Sequence, residues 1–211
     1  MPNILFTLQV PPPTAIPFLT RECFFESLDG LDVFKSGSGN VVIDPNKITI
    51  TTGGTSGSVA SVREQFQYPP LPLTWAKFRG FKLNLRVDVF TDPASSLFVA
   101  TGNATTGGRF VGFKFTNAGI LGAVCNGGSI QTVNLEVGKT PPWTETKLLE
   151  ANFYPGSKAQ FFIDGVLKGA LTAQLPTETT NAEILFMLSL INSAPIDHSL
   201  STSYIKAWQE Q

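Results

Sequence analysis

An alternation of apolar and polar side chains with a period of two runs through almost every segment of the chain. It is clearest in FKLNLRVDVF, residues 81–90, where apolar residues alternate with Lys82, Asn84, Arg86 and Asp88. Successive side chains of a β-strand point to opposite faces, so the pattern predicts a long strand with one buried and one solvated face. Shorter runs of this kind occur at 31–35, 47–52, 58–63, 97–101, 109–116, 120–126, 147–153, 159–163, 166–171, 184–192 and 201–209. No window of the sequence holds an apolar helical stripe with caps, which predicts an all-β protein.

Turn-forming residues separate these runs. Glycine stands with asparagine, aspartate, proline or a second glycine at 29–30, 53–54, 107–108, 117–119, 126–128 and 155–156. About a dozen short strands divided by such turns predict two antiparallel sheets packed face to face. We find no internal repeat of about 20 to 50 residues, which disfavours a propeller or a solenoid.

The stretch AQFFIDGVLKGAL, residues 159–171, consists of two short apolar runs around Asp164 and Gly165. A two-residue connection between antiparallel strands favours a type I′ turn, in which both central residues need a positive φ. Aspartate followed by glycine adopts that conformation at little cost. The sequence therefore predicts a hairpin turn here, and the turn accounts for the aspartate without any ligand.

Length and composition indicate one domain with a large core and a weakly charged surface. The chain has 211 residues, 42% of them hydrophobic and 17 of them Phe, which fits a single sandwich of about 200 to 250 residues. Only 15% are charged, against about 25% in an average domain, so neutral polar residues must cover much of the surface. The net charge of −1 and the lack of a basic cluster argue against nucleic acid as a partner.

The sequence predicts neither a membrane span nor a signal peptide. The longest apolar runs, such as 184–191, are well short of the roughly 20 residues that cross a bilayer. The start, MPNILFTLQVPPP, lacks the basic region and the small-residue cleavage site of a secretory signal.

The first 20 residues differ from the rest and are predicted to form an extended arm outside a domain of residues 21–211. Ile4, Phe6, Leu8 and Val10 alternate like a strand, but the prolines at 11–13 and 17 prevent regular pairing beyond it. Two arrangements remain open. The arm lies along its own domain as an edge strand, or it adds as a strand to the sheet of a neighbouring subunit.

No catalytic residue, metal site or cofactor is predicted. Glu22 and Glu26 share a face of one strand, but Phe24 separates them, and His198 stands in a polar break between two apolar runs. Oxygen ligands for calcium are scattered along the sequence. Cys23 and Cys125 are too few and too distant in sequence for a zinc site, and whether they form a disulfide or two separate thiols stays open.

Three aromatic residues in proline-rich connections are the candidate ligand contacts. Tyr68 and Trp75 lie in FQYPPLPLTW, and Trp143 lies in KTPPWTE. Sugar rings present apolar C–H faces that stack on exposed aromatic rings, so each residue either contacts a ligand or caps the core from its rim. Trp208, on the last predicted strand, is assigned to the core.

Several segments resemble the concanavalin A-like lectin/glucanase superfamily, in particular its laminin G-like jelly rolls in phage virion and microbial surface proteins. ANFYPGSKAQFFIDGVLKGAL, ILFMLSLINSA and SYIKAWQEQ resemble its last four strands, while ECFFESLDGLDVFKSGSGNVVI and GRFVGFKFTNAGILGAV fit the earlier layout. The resemblance covers residues 21–211 and implies a two-sheet antiparallel jelly-roll sandwich. The acidic Glu-x-Asp-x-Glu strand of glycosidase members and the tight Asp/Asn calcium loop of lectin members have no counterpart that we can place.

The resemblance implies a non-catalytic module for adhesion or assembly, at a virion surface or outside the cell. We expect it to form homo-oligomers, or to join neighbouring structural proteins, through sheet edges and the N-terminal arm, and to touch glycans through loop aromatics. The alternatives are a carbohydrate-binding lectin-like module and a divergent glycoside hydrolase.

Overall fold

The structure, a computed structural model, describes residues 4–9, 18–24, 31–44, 46–64, 74–90, 96–102, 108–116, 119–137, 145–177 and 186–210. These residues form sixteen β-strands. In chain order they are β1 Ile4–Gln9, β2 Phe18–Phe24, β3 Leu31–Ser36, β4 Asn40–Asp44, β5 Lys47–Thr51, β6 Val59–Glu64, β7 Phe78–Val89, β8 Ser96–Gly102, β9 Arg109–Thr116, β10 Gly119–Asn126, β11 Gln131–Val137, β12 Lys147–Tyr154, β13 Lys158–Ile163, β14 Val166–Leu171, β15 Phe186–Ile191 and β16 Ser199–Glu210. Within these ranges, no helix has the length and hydropathy that crossing a membrane requires.

The strands form two antiparallel sheets. Sheet A has nine strands in the order β1-β2-β16-β7-β12-β13-β14, with β5 also paired to β16 and β4 to β5. Sheet B has seven strands in the order β11-β10-β9-β8-β15-β6-β3. The long strand β16 pairs along one edge with β7 and along the other with β5 in its first half and β2 in its second half. The predicted all-β sandwich of two antiparallel sheets is confirmed.

The core lies between the two sheets and is built from the inward-facing alternate residues. On β7, Phe81, Leu83, Leu85 and Val87 are fully buried, as the alternation in the sequence predicts. Aromatic rings join the sheets edge to face: the ring centroid of Phe113 in sheet B lies 6.1 Å from that of Phe81. Such T-shaped pairs place the positive edge of one ring on the negative face of the other.

The β13–β14 connection is the predicted hairpin turn. Asp164 and Gly165 have φ angles of 51° and 77°, the positive values that a type I′ turn requires. The Asp164 carboxylate accepts a hydrogen bond from the Leu148 N–H at 2.9 Å and lies 3.1 Å from the Lys147 Nζ. Partial burial favours a higher pKa for Asp164, but the Leu148 N–H and the Lys147 ammonium outweigh it and hold the pKa below its ordinary value.

Residues 4–9 of the segment predicted as an arm form β1, which pairs antiparallel with β2 of its own chain from Ile4 opposite Cys23 to Gln9 opposite Phe18. This is the first of the two arrangements that the sequence left open. Strand β2 begins at Phe18, before the predicted domain boundary at residue 21, and joins β1 to β16. Both strands are thus part of sheet A.

A hydrogen-bonded loop cluster closes one end of the sandwich around Asn192, which is 1% exposed. Its Oδ1 accepts from the Ser58 N–H at 2.9 Å, and its Nδ2 donates to the carbonyl oxygens of Gly53 and Ile196 at 3.0 and 3.1 Å. One buried side chain therefore joins the loop between β5 and β6 to the loop between β15 and β16.

Candidate functional site

The solvent-facing side of sheet A, which we call the outer face, carries the polar half of the β7 alternation. Lys82, Asn84, Arg86 and Asp88 point outward because the residues between them fill the core. On the neighbouring strands, the residues paired with these positions also point outward. The register places Ser201 of β16 opposite Arg86, and Glu150 of β12 opposite Lys82.

A groove of about 330 Å³ lies on the outer face where β5, β16 and β7 run side by side. It forms there because the first half of β16 is bordered by β5 on one edge and by β7 on the other. The residues that line it are Lys47, Asn84, Arg86, Asp88, Thr146, Ser201, Thr202 and Ser203. The lining is thus made of hydroxyl, amide and charged groups.

The charges in the groove are unevenly matched. The Arg86 Nε donates to the Asp88 Oδ1 at 2.5 Å, which links the two residues on the same face of β7. Among the described residues, no carboxylate lies within ion-pair distance of the Lys47 Nζ. The groove therefore holds two cations and one carboxylate, and that carboxylate is already bound to Arg86.

Trp208 of β16 lies on the outer face against the backbone of Gly80, which belongs to β7, the strand between β16 and β12. A Cβ at position 80 would fall 2.6 Å from the Trp208 Cζ2, so the ring occupies the space that a side chain would need. The register runs from Trp208 to Gly80, then to Asn152 of β12 and Gln160 of β13. A partly exposed indole ring is thus followed on the neighbouring strands by two carboxamide residues.

The assignment of Trp208 to the core is therefore wrong. Ile205 and Ala207 of β16 are buried, whereas Lys206 and Trp208 alternate to the outer face and are partly exposed. The period of two in SYIKAWQE already separates these pairs, so the signal was present in the sequence.

Of the three predicted ligand contacts, the structure describes Trp75. Trp75 is 2% exposed and packs edge to face on Phe78 and Phe153, with centroids 5.6 and 5.7 Å away. Its ring caps the core, which was the alternative given for it, and it presents no surface to a ligand. Tyr68 and Trp143 lie outside the described residues.

The other singled-out residues lie apart from the groove. His198 stands in the loop before β16, as predicted, but it is fully buried, with its ring 5.2 Å from that of Phe90. Glu22 is on β2 opposite Lys206, and Glu26 lies outside the described residues. The Cys125 thiol is buried and donates to the Gly128 carbonyl at 3.3 Å. Within the described ranges, no group of three or more His, Cys, Asp or Glu residues could hold a metal ion.

The outer face combines groups that suit a polyhydroxylated ligand. A partly exposed indole offers an apolar surface for stacking, and the carboxamides, hydroxyls and cations offer directional hydrogen bonds. Sites that recognise small molecules usually join an apolar surface to a few placed polar groups.

Comparison with solved structures identifies the fold. The chain is similar to a Bacillus licheniformis beta-glucanase, with a TM-score of 0.61, 14% identity and coverage of 87% of this chain and 94% of that one. A beta-1,3-1,4-glucanase (lichenase) derived from a mouse hindgut metagenome gives a TM-score of 0.63, 9% identity and coverage of 89% and 98%. The carbohydrate recognition domain of Emp47p gives a TM-score of 0.60, 5% identity and coverage of 86% and 89%.

These likenesses establish the fold as a two-sheet jelly-roll sandwich of the kind found in beta-glucanases and in a carbohydrate recognition domain, and they confirm the fold that the resemblance in the sequence implies. Both hydrolases and carbohydrate recognition domains stand among the similar structures. No family model matches the sequence, and neither does any curated protein.

Proposed function

We propose that this protein is a non-catalytic module that binds polysaccharide on the outer face of sheet A. The observation that carries the proposal is the partly exposed ring of Trp208 lying on Gly80, in register with Asn152 and Gln160. A sugar ring would stack on the indole, and its hydroxyls would meet the carboxamides of the neighbouring strands. The polymer would extend along β16 and β7 into the groove.

Two further facts support sugar as the ligand. The similar structures are named as glucanases and as a carbohydrate recognition domain. The groove is lined by hydroxyl and amide groups as well as charges, and such groups match the many donors and acceptors of a glycan.

The non-catalytic part of the proposal is supported by the carboxylates of the groove. Glycoside hydrolysis uses two carboxyl groups about 5 to 10 Å apart. Asp88 is the sole carboxylate among the described residues that line the groove, and it is bound to Arg86. Glu150 stands opposite Lys82, six residues before Asp88, which is about 20 Å along the strands.

The test is a binding assay with a panel of polysaccharides, comparing the wild-type protein with the Trp208→Ala variant. We expect the variant to lose about tenfold in affinity, because burial of roughly 60 Å² of apolar ring surface stabilises a complex by about 1.5 kcal/mol. The matched control is Phe34→Ala, which removes an aromatic side chain that is 58% exposed on β3 of sheet B. An equal loss in both variants, or no binding to any polysaccharide, contradicts the proposal.

A divergent glycoside hydrolase is the second candidate, favoured by the likeness to beta-glucanases. Release of reducing ends from a polysaccharide that the protein binds would establish hydrolysis. Loss of that release in Asp88→Asn would place the reaction in the groove. A bound polymer that stays intact supports the non-catalytic function.

We also propose that the module acts at an exposed surface of a virion or a cell and associates with copies of itself. The edge strands β14 and β11 lie against each other, joined by the Lys168–Glu136 ion pair at 3.2 Å. Val166, Leu167 and Val137 are 57%, 50% and 74% exposed there. An exposed apolar edge favours pairing with a second copy. Light scattering that gives the mass of a single chain at all concentrations would refute the association.

A further inference from the structure

The cations of the groove have hydrogen-bonding capacity that the described protein groups leave unused. The Arg86 Nε donates a hydrogen bond to Asp88, and the two Nη atoms have no hydrogen-bond partner among the described residues. The Lys47 ammonium likewise has neither a hydrogen bond nor an ion pair there. The Arg86 side chain is 53% exposed, so its remaining N–H groups are accessible from solvent, and the planar guanidinium suits an oxyanion.

Neutral donors stand between these two cations. The strand register places Ser201 of β16 opposite Arg86 of β7. Two residues further along β16, Ser203 lies level with Asn84 on one side and with Lys47, the first residue of β5, on the other. Ser201 is 5% exposed and forms the floor of the groove. Neither serine hydroxyl nor the Asn84 carboxamide has a hydrogen-bond partner in the described part of the chain.

Five side chains on three adjacent strands therefore converge with unused donors, and two of them carry positive charge. The groove volume of about 330 Å³ equals that of about ten water molecules, which is more than one carboxylate or sulfate group fills. Room remains for the ring that would carry the anionic group. A neutral sugar would leave the charge of Lys47 unmatched, whereas an anion would neutralise it.

We infer that the groove binds the anionic group, a carboxylate or a sulfate ester, of an acidic polysaccharide. The inference rests on the proposed function and specifies its substrate class. Arg86 and Lys47 hold the anion, and Ser201, Ser203 and Asn84 donate hydrogen bonds to it. Trp208 stacks on a more distant ring of the same polymer, because it lies opposite Gly80, six residues or about 20 Å along β7 from Arg86.

The experiment measures the affinity of the full chain for three polymers of matched length: a polyuronate, a sulfated galactan and a neutral β-glucan. We expect tighter binding to at least one of the two acidic polymers, and the comparison between them tells carboxylate from sulfate. Arg86→Gln and Lys47→Gln should each lower the affinity for the acidic polymer about tenfold or more. The affinity of each variant for the neutral glucan should stay within about twofold of wild type. Added salt should weaken the binding of the wild-type protein to the acidic polymer and leave its binding to the neutral glucan unchanged.

Lys77→Gln is the matched control, because it removes the same charge from an exposed residue outside the groove. An equal loss in Lys77→Gln would overturn the inference, since the effect would then come from overall charge. Binding to the neutral glucan through Trp208, with no preference for either acidic polymer, would overturn it and leave the proposed function standing. Failure to bind any of the three polymers would overturn both.

Discussion

Replacing Gly80 with alanine should disturb the fold and the proposed binding face together, because Trp208 lies on this glycine. A Cβ at position 80 would fall 2.4 Å from the Ala151 carbonyl oxygen and 2.6 Å from the Trp208 Cζ2. The first of these atoms is backbone in the neighbouring strand and cannot rotate away. The φ of Gly80 is +155°, a value that residues with a side chain rarely adopt.

The expected cost follows from these two effects. Insertion of a methyl group into a packed position costs about 1–3 kcal/mol, and a disfavoured φ adds about 1–2 kcal/mol. We therefore expect the free energy of unfolding of Gly80→Ala to fall by about 2–5 kcal/mol. The displaced indole should also weaken polysaccharide binding about tenfold, as we expect for Trp208→Ala.

Urea unfolding followed by circular dichroism measures the first effect, and a titration with the polysaccharide measures the second. Gly128→Ala is the control, because a Cβ at position 128 meets nothing within 4 Å, and its stability should stay within about 0.5 kcal/mol of wild type. In a double-mutant cycle of unfolding free energies, Trp208→Ala should lower the stability less in the Gly80→Ala background than in the wild type. The reason is that it removes one of the two clashes of the new Cβ. A Gly80→Ala variant with unchanged stability and affinity would refute the placement of the ring.

Two further predictions concern the loops. Asn192→Ala should lower the free energy of unfolding by about 3 kcal/mol, because three hydrogen bonds of about 1 kcal/mol each are lost. Thermal unfolding measures this loss of stability. A loss below about 1 kcal/mol would contradict the prediction. The pKa of Asp164 is lowered in the folded protein, so its stabilisation is present above the unfolded pKa and is lost as the pH falls through the folded value. Asp164→Asn keeps the turn and an acceptor for the Leu148 N–H but does not titrate. As the pH falls from the ordinary aspartate pKa of 3.8 through the lower folded value, it should lose less stability than wild type, and equal losses would refute the sign.

The sequence predicts those parts of the fold that depend on local chemistry. The period of two assigns every described residue from Phe81 to Asp88 to its correct face, because one strand buries one face regardless of its partners. The turn at Asp164 is equally local, since its φ angles depend on two adjacent residues. Neither prediction requires knowledge of which strand pairs with which.

The candidate site could not be predicted in this way, because it depends on pairing between distant segments. Lys47 and Ser203 belong to opposite ends of the chain and meet the β7 residues only through the non-local ladder of β16. From the sequence alone, a glycine at position 80 is expected to destabilise a strand. Only the pairing of β16 with β7 shows that its missing side chain makes room for the Trp208 ring. The proline-rich connections predict ligand contacts at loop aromatics, but Trp75, one of these, packs in the core.

The two faces of sheet A divide the tasks of the protein. Inward residues of β7, β12 and β16 fill the core, and identities of only 5% to 14% to the similar structures show that many sequences can satisfy this requirement. Outward residues contact solvent, so exchanging Arg86 of β7 or Lys47 of β5 should change the proposed binding with little effect on stability. Gly80 couples the two tasks, because its missing side chain serves both the close approach of β12 and the seat of Trp208. The binding properties of the outer face should therefore respond to single substitutions that leave the sandwich intact, except at this one glycine.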